Sequence, residues 1–394
     1  MSLSRRSLLQ KSLQYAKYGT VAAGAVGLAQ TLGGCGIFES GKEDNTKAEE
    51  APKTDAKLDP KSQKTLYIYG WATYVGDEVK EVMEGFTEET GIQVKGDSYD
   101  SNEVLLAKLL ANGGRLDYSV IYPSDYMVSQ MVERNLLMPL DHSLLSNIKN
   151  IDPKFLRTPY DVGGKHSVPL SLGTTGIAYN VKIVSSLIGE EPKDWNYFWE
   201  YKDKLRITLV NDPREVLGMG LHTLGYSYNA KEEAKIKQAF NKLRELMPAI
   251  ANFTSDAWKD MLVSGDLMAC MVYSGDGIRV ARQDPNIKYI LPQSGTSIWT
   301  DTVAILRSAP NPDAAHAWIN YLMRPEIAAK ISDANSFGTT NRPARAKIPE
   351  DLRSIPAWQP SPQFEKRSGR ITKLDQSVLQ MYESYWTRLS SGLG

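Results

Sequence analysis

Three short apolar runs, at residues 65–69, 92–94 and 118–121, have the length and composition of buried β-strands. Two amphipathic segments, residues 77–90 and a second one starting at Ser101, separate these runs with helical periodicity. This β-α-β-α-β order predicts a mostly parallel sheet covered by helices. In such a sheet, ligands bind in a crevice at the carboxyl ends of the strands.

A second α/β region follows in the later part of the chain. Residues 206–210 and 267–272 are predicted strands, and residues 234–247 carry apolar side chains on one helical face. The chain has 394 residues, which exceeds one average domain. We therefore expect about two compact α/β lobes.

The first 35 residues have the features of an export signal. Arg5 and Arg6 precede a weakly hydrophobic run over residues 19–32, and Cys35 ends a short stretch of small residues. Paired arginines are typical of the twin-arginine route, and this cysteine is typical of a lipobox, in which it becomes lipidated. We expect residues 1–35 to be such a signal peptide. An ordinary secretory signal or a single anchor helix is the alternative, although the run is shorter than the ~20 residues that a spanning helix needs.

Residues 36–64 contain almost no large apolar side chain. Such a segment buries too little surface to offset its ordering entropy, which predicts a disordered tether. As a flexible coil it would span roughly 25–30 Å between a lipid on Cys35 and a globular body that begins near Thr65.

Charge and cysteine content narrow the class of protein. The chain has 46 basic and 46 acidic residues, and residues 1–34 hold four bases and no acid, so the mature chain has 42 bases against 46 acids. No basic stripe is available for a phosphate backbone, which makes a nucleic-acid partner unexpected. Cys270, the other of two cysteines, lies in an apolar run and is expected to be a small buried hydrophobe.

Aromatic and acidic side chains, together with one serine, recur where predicted strands and helices meet. They are Trp71, Tyr74, Ser124, Tyr126, Asp212, Glu215 and Tyr273, with Trp299 and Asp301 just ahead of a predicted strand at residues 303–306. Aromatic ring faces attract ammonium groups, and carboxylates accept charged hydrogen bonds from them. The combination therefore suits an organic cation, and its apolar rings suit the methylene stem of a polyamine.

Each of these residues also has a purely structural interpretation. Asp212 has the form of an acidic N-cap, followed by proline at the first helical position and Glu215 at the third. The aromatic residues suit a hydrophobic core, Ser124 suits a turn, and Asp276 suits the start of a further helix. Only the combination indicates a ligand site.

Motifs of common enzyme and metal sites do not occur in the sequence. It has no nucleophile elbow, P-loop, zinc-protease motif or paired Cys-x-x-Cys, and its four histidines have no ligand spacing. We expect neither catalysis nor a resident metal or other cofactor.

Several segments are similar to one known family, namely residues 66–75 (LYIYGWATYV), 123–126 (PSDY), 214–216 (REV), 224–227 (LGYS), 299–301 (WTD), 322–326 (LMRPE) and 382–385 (YESY). In their order and spacing across residues 65–390, they resemble the bacterial spermidine/putrescine-binding protein family. The resemblance implies the type II periplasmic-binding-protein fold, an α/β fold in which two lobes joined by crossing hinge strands close on a ligand in the cleft between them. It implies a lobe 1 of residues 65–176 plus 300–345 and a lobe 2 of residues 177–299 plus 346–394.

The resemblance also implies roles for single residues. Four residues of the first lobe are expected to line the ligand: Trp71, Tyr74, Ser124 and Tyr126. Asp212 and Glu215 match the family's acidic pair for the ligand's ammonium groups, and Asp301 matches the acid at a terminal amine. Trp299 matches the aromatic residue that stacks on the chain, and Tyr273 stands where the family has a tryptophan.

Three positions depart from the family pattern. Thr73 replaces an acid, Phe337 replaces a tyrosine, and a glutamine near the C-terminus falls at about Thr372. The lost acid removes one ammonium partner, so we expect a preference for a polyamine with fewer charges.

Together with the export signal and Cys35, the resemblance implies an extracytoplasmic, lipid-anchored and monomeric substrate-binding protein that captures putrescine or spermidine for a membrane ABC permease. The alternatives are a binding protein for another small organic cation or a ferric chelate, and a surface lipoprotein with a protein partner.

Overall fold

The computed structural model describes residues 64–392. The predicted signal peptide, Cys35 and the predicted tether up to residue 63 lie outside the described residues. Within the described part, no helix combines the length and hydropathy that a membrane span requires.

The strands are β1 (Thr65–Gly70), β2 (Gln93–Ser98), β3 (Val120–Ile121), β4 (Ser167–Asn180), β5 (Ile207–Leu209), β6 (Ile250–Phe253), β7 (Ala269–Tyr273), β8 (Ile287–Ile290), β9 (Ser297–Ile305), β10 (Gly338–Thr339) and β11 (Gly369–Arg370). The helices are α1 (Ala72–Val75), α2 (Lys80–Thr90), α3 (Asn102–Ala111), α4 (Asp125–Glu133), α5 (Pro153–Leu156), α6 (Val181–Leu187), α7 (Tyr197–Glu200), α8 (Pro213–Thr223), α9 (Glu233–Arg244), α10 (Trp258–Ser264), α11 (Ser274–Gln283), α12 (Pro312–Leu322), α13 (Pro325–Asn335), α14 (Glu350–Arg353), α15 (Pro362–Glu365) and α16 (Gln376–Ser390).

The sheet has parallel ends and an antiparallel middle. Its main strand order is β2-β1-β3-β9-β4-β7-β5-β6. Strand β1 is parallel to β2 and β3, and β5 is parallel to β6 and β7. The central strands β4 and β9 are antiparallel to each other, and they are antiparallel to β7 and β3 respectively. The prediction of a mostly parallel sheet is therefore correct for the two ends and wrong for the middle.

Strand β4 crosses from one half of the sheet to the other. Ser167–Thr174 pair with β9, and the following residues 175–179 pair with β7. All fourteen residues of β4 are buried. A strand buried on both faces has no polar and apolar alternation, and Pro169, Gly173 and Gly176 interrupt its apolar run, so the sequence pattern did not predict β4.

Two hydrophobic cores flank the crossing strands. The first includes Leu66 and Trp318 and packs α2, α12 and α13 against β1, β3 and β9. The second includes Phe240 and Tyr382 and packs α8, α9 and α16 against β5 and β7. Tyr273 is partly buried against both cores, which places it between two α/β lobes. The residue boundaries assigned to the lobes remain a prediction.

The helix termini follow the chemistry of their sequences. A 3₁₀ turn over Asp77–Val79 leads into α2, which ends at Gly91 with φ of 74°, a conformation that glycine adopts without steric cost. The Ser101 hydroxyl caps α3 by accepting a hydrogen bond from the Val104 N–H at 3.2 Å. Both helices confirm the amphipathic segments predicted from sequence.

Candidate ligand-binding cleft

A narrow cleft lies where the two lobes meet, and its wall contains most of the predicted site residues. Nine of the ten line it: Trp71, Ser124, Tyr126, Asp212, Glu215, Tyr273, Trp299, Asp301 and Phe337. The tenth, Tyr74, lies behind the wall and donates a hydrogen bond to Asp301. The cleft encloses about 50 Å³, which is space for roughly four water molecules and therefore suits a slender guest.

Asp301 forms one end of the cleft. The Ser124 hydroxyl donates to its Oδ1 at 2.7 Å, and the Tyr74 hydroxyl donates to its Oδ2 at 3.0 Å. Ser124 is the N-cap residue of α4, but its hydroxyl binds Asp301 instead of capping that helix. Burial raises the pKa of Asp301 to about 7, although both hydroxyl donors oppose this shift.

Asp212 and Glu215 form a second acidic group at the N-terminus of α8. The Arg214 and Glu215 N–H groups donate to Asp212 Oδ1 at 2.9 and 3.0 Å, so the predicted capping role of Asp212 is confirmed. Its Oδ2 faces the cleft and accepts a hydrogen bond from the Tyr273 hydroxyl at 3.4 Å. Glu215 accepts from the Ser297 hydroxyl at 2.6 Å, and burial together with the Asp212 charge raises the pKa of Glu215 to about 8.

Strand β9 connects the two acidic groups. Trp299 and Asp301 were expected ahead of a strand at residues 303–306, and this expectation is wrong because the strand already begins at Ser297. Ser297, Trp299 and Asp301 are two residues apart along β9, so all three lie on the same face of the strand. At ~3.3 Å per residue, Ser297 and Asp301 are about 13 Å apart along the strand, which sets the spacing of the two ends.

Four aromatic rings form a continuous wall between the acidic groups. Trp71 and Tyr273 have ring centroids 6.0 Å apart, Tyr273 and Trp299 5.8 Å, and Trp299 and Phe337 5.0 Å, all in edge-to-face geometry. Such rings provide apolar surface for methylene groups and attractive faces for cations. The indole Nε1 atoms of Trp71 and Trp299 and the hydroxyl of Thr73 are buried without a hydrogen-bond partner.

Sequence patterns indicate no ligand-binding role for two charged residues next to the cleft, Glu103 and Arg214. Glu103 accepts a hydrogen bond from the Tyr126 hydroxyl at 3.0 Å, and burial followed by repulsion from Asp212 raises its pKa to about 8. Arg214 is fully buried, with its guanidinium 5.5 Å from the ring centroid of Tyr126. It donates to the backbone carbonyl of Thr372 at 3.1 Å, whereas the side chain of Thr372 is not part of the cleft wall.

The buried tyrosines of the site act as hydrogen-bond donors. Burial raises the pKa values of Tyr74, Tyr126 and Tyr273 well above the ordinary range, and nearby carboxylates raise them further. Without a bound ligand these hydroxyls therefore keep their protons and donate to Asp301, Glu103 and Asp212 respectively. Among residues 64–392, no group of three or more His, Cys, Asp or Glu side chains is arranged to hold a metal ion.

The pKa of Asp301 leads to a test of stability against pH. A buried acid with a folded-state pKa above its unfolded value of about 3.9 binds its proton more tightly when folded, so its contribution to the free energy of unfolding falls as pH rises from about 4 to about 7. Without ligand, we expect the free energy of unfolding of Asp301→Asn to equal that of wild type near pH 4. At pH 8 it should be higher than that of wild type by on the order of 4 kcal/mol. Urea unfolding at both pH values measures this difference, and parallel pH profiles for the two proteins would contradict it.

The fold and cleft define a two-lobed solute-capture protein, and comparison with known proteins agrees. Residues 81–366 match the model of the family described as bacterial extracellular solute-binding protein. A relative from Haemophilus influenzae, named spermidine/putrescine-binding periplasmic protein 1, is 34% identical over 343 residues, which cover 87% of this chain and 93% of the relative.

Two solved structures extend the comparison to the fold. The spermidine/putrescine ABC transporter substrate-binding protein PotD from Streptococcus pneumoniae is 32% identical, with a TM-score of 0.68, and the match covers 84% of this chain and 100% of that one. The TpPotD lipoprotein of Treponema pallidum is 27% identical, with a TM-score of 0.71, over 82% of this chain and 99% of that one.

The chain therefore belongs to the bacterial extracellular solute-binding protein family. The predicted family resemblance and the type II periplasmic-binding-protein fold are confirmed. Members of this family bind solutes for ABC importers outside the cytoplasm and are not enzymes, so the predictions of an extracytoplasmic location and of no catalysis are confirmed as well.

Proposed function

We propose that the cleft captures a polyamine, putrescine or spermidine, and that the protein delivers it to a membrane ABC permease. The observation that carries this proposal is the pair of buried acidic ends, Asp301 and Asp212 with Glu215, separated by an aromatic wall. A ligand with this pattern has ammonium groups at its ends and methylene groups between them. The names of the relatives from Haemophilus influenzae and Streptococcus pneumoniae support the same ligand class.

The carboxylates at these ends form no ion pair within the described residues. Within residues 64–392, no Lys, Arg or His nitrogen lies within 4.0 Å of the carboxylate oxygens of Asp301, Asp212 or Glu215. Burial raises the pKa of Asp212 and Glu215, although the buried Arg214 charge opposes this rise from a greater distance. A buried carboxylate without a counter-ion is costly, and so is a buried ammonium group without a carboxylate. Each therefore compensates the other when the ligand enters, and closure of the lobes would remove water from both.

A calorimetric titration tests the proposal with a matched pair of ligands. Putrescine and 1,4-butanediol have the same four-carbon chain, but the diol has hydroxyl groups in place of the ammonium groups. We expect saturable binding of putrescine or spermidine and none of the diol. At one hundred times its dissociation constant, a ligand should also stabilise the fold by about 2.7 kcal/mol. Equal binding of the diol, or no binding of either amine, would contradict the proposal.

We further propose that Cys35 anchors the mature protein to the membrane through a lipid and that residues 36–64 tether a monomeric body. The support is the order of Arg5, Arg6, the apolar run and Cys35 in the sequence, together with the lipoprotein named among the solved relatives. The proposed lobe boundaries are those implied by the resemblance.

The anchor proposal predicts where two cysteine variants will fractionate. Wild type and Cys270→Ala should be recovered with the membrane fraction, because Cys270 is buried in the second lobe and carries no lipid. Cys35→Ser should lose the acyl group and leave the membrane fraction after alkaline washing. Mass spectrometry of the mature N-terminus measures the lipid directly, and an unmodified Cys35 in wild type would contradict the anchor.

A further inference from the structure

The cleft contains a second kind of carboxylate, which is already paired with cations of the protein. Asp256 and Asp276 line the same cleft as Asp301 and Asp212. The Lys259 ammonium lies 3.0 Å from Asp276 Oδ1 and 3.3 Å from Asp256 Oδ1. Among residues 64–392, no other basic nitrogen lies within 4.0 Å of Asp256. The Lys259 ammonium therefore occupies the position that a ligand ammonium would take next to Asp256 and Asp276.

Arg279 completes the charged cluster. Its Nη2 donates to Asp276 Oδ1 at 2.9 Å, and its Nη1 donates to the carboxylate of Glu78. The cluster thus holds three acids, Glu78, Asp256 and Asp276, and two bases. Removal of the Lys259 charge would leave three acids with one base, which is an attractive site for an incoming ammonium group.

The surroundings of Lys259 keep it charged and fixed. The side chains of Lys259 and Asp276 are 25% and 10% exposed, whereas that of Asp256 is 51% exposed. Burial alone would lower the pKa of Lys259, but attraction to Asp276 and Asp256 outweighs this and raises it. A protein ammonium held between two carboxylates in this way is not displaced by a ligand ammonium without a cost, because both cations would compete for the same oxygens.

We propose that Lys259 is a specificity-determining residue. Its ammonium pairs with the Asp256 and Asp276 carboxylates and so restricts the cleft to a diamine. This inference rests on the proposed polyamine-binding function. A diamine needs only the two ends whose acids form no ion pair, at Asp301 and at Asp212 with Glu215. A triamine has a third ammonium group, which finds two further acids of the cleft wall, Asp256 and Asp276, already paired with Lys259 and Arg279.

The test compares putrescine and spermidine titrations of wild type with those of three lysine variants. Lys259→Met keeps most of the apolar stem and removes the charge, and Lys259→Arg keeps the charge. Lys288→Met is the matched control, since Lys288 lies in the same lobe and pairs with Glu191 on the surface. We expect wild type to bind putrescine more tightly than spermidine, and Lys259→Met to shift this ratio toward spermidine by at least tenfold. Lys259→Arg and Lys288→Met should keep the wild-type ratio.

The outcomes separate this inference from the function on which it rests. If wild type binds putrescine but Lys259→Met leaves the ratio unchanged, the role of Lys259 is refuted and the polyamine function stands. If wild type and all variants bind neither amine, the proposed function itself is refuted. Lys259→Gln provides a second charge-free variant, and thermal unfolding of each variant shows that a changed ratio comes from folded protein.

Discussion

Replacing Asp301 by asparagine should weaken putrescine binding by roughly 30- to 700-fold. Asparagine keeps the size of the side chain and can still accept from Ser124 or Tyr74, so the change removes mainly the charge. The ligand ammonium then enters a buried site without its counter-ion, and loss of one partner of a buried charge pair costs about 2–4 kcal/mol. Calorimetric titration measures the change.

Asp117→Asn is the control for this variant. Asp117 is exposed in the first lobe and is not part of the cleft wall, so the same substitution there should leave the affinity within twofold of wild type. Because Asp301→Asn is also expected to be more stable than wild type at pH 8, weaker binding cannot be explained by unfolding. An unchanged affinity for Asp301→Asn would remove Asp301 from the ligand site.

The double variant Asp212→Asn with Glu215→Gln should lose putrescine binding to a similar or larger extent, while each single variant loses about tenfold. The two carboxylates repel each other across the N-terminus of α8, and the raised pKa of Glu215 means that they hold fewer than two negative charges between them at neutral pH. When one is neutralised, the other ionises more readily and keeps part of the interaction. A double-mutant cycle should therefore show coupling of at least 1 kcal/mol.

The choice of asparagine at position 212 separates binding from helix capping. Asparagine is as good an N-cap as aspartate, and it removes a buried acid whose pKa is raised by burial, so Asp212→Asn should be at least as stable as wild type. Asp212→Ala should be about 1 kcal/mol less stable than Asp212→Asn, because the Arg214 and Glu215 N–H groups lose their acceptor. Additive losses in the double variant, with no coupling, would contradict a shared site for the two acids.

Local patterns predicted much of the cleft because many of its residues follow strand ends or begin helices. Trp71 follows β1, Ser124 begins α4, and Asp212 precedes α8, so rules for α/β crevices and helix caps apply to them directly. The structure shows that the capping and cleft positions of Asp212 are compatible, since each uses a different carboxylate oxygen.

The remaining features depend on contacts that a sequence pattern does not contain. Glu103 is an acid in the first turn of α3, which is ordinary for a helix start, and only the fold brings it to the Tyr126 hydroxyl and close to Asp212. Lys259 lies on α10 and meets Asp276 only because α10 and α11 lie close together in the fold. Strand β4, buried on both faces and interrupted by glycine and proline, has no periodic signal at all.

The most direct test of the central claim is the number of protons released when putrescine binds at pH 7. The ligand's ammonium groups favour ionised carboxylates, and Asp301, with a pKa of about 7, and Glu215, with a pKa of about 8, are partly protonated in the empty cleft. Titrations in two buffers of different ionisation enthalpy should therefore show release of about one proton per putrescine, and less in the Asp301→Asn variant. Binding without proton release, or with proton uptake, would contradict the claim that carboxylates protonated through burial ionise to hold the ligand.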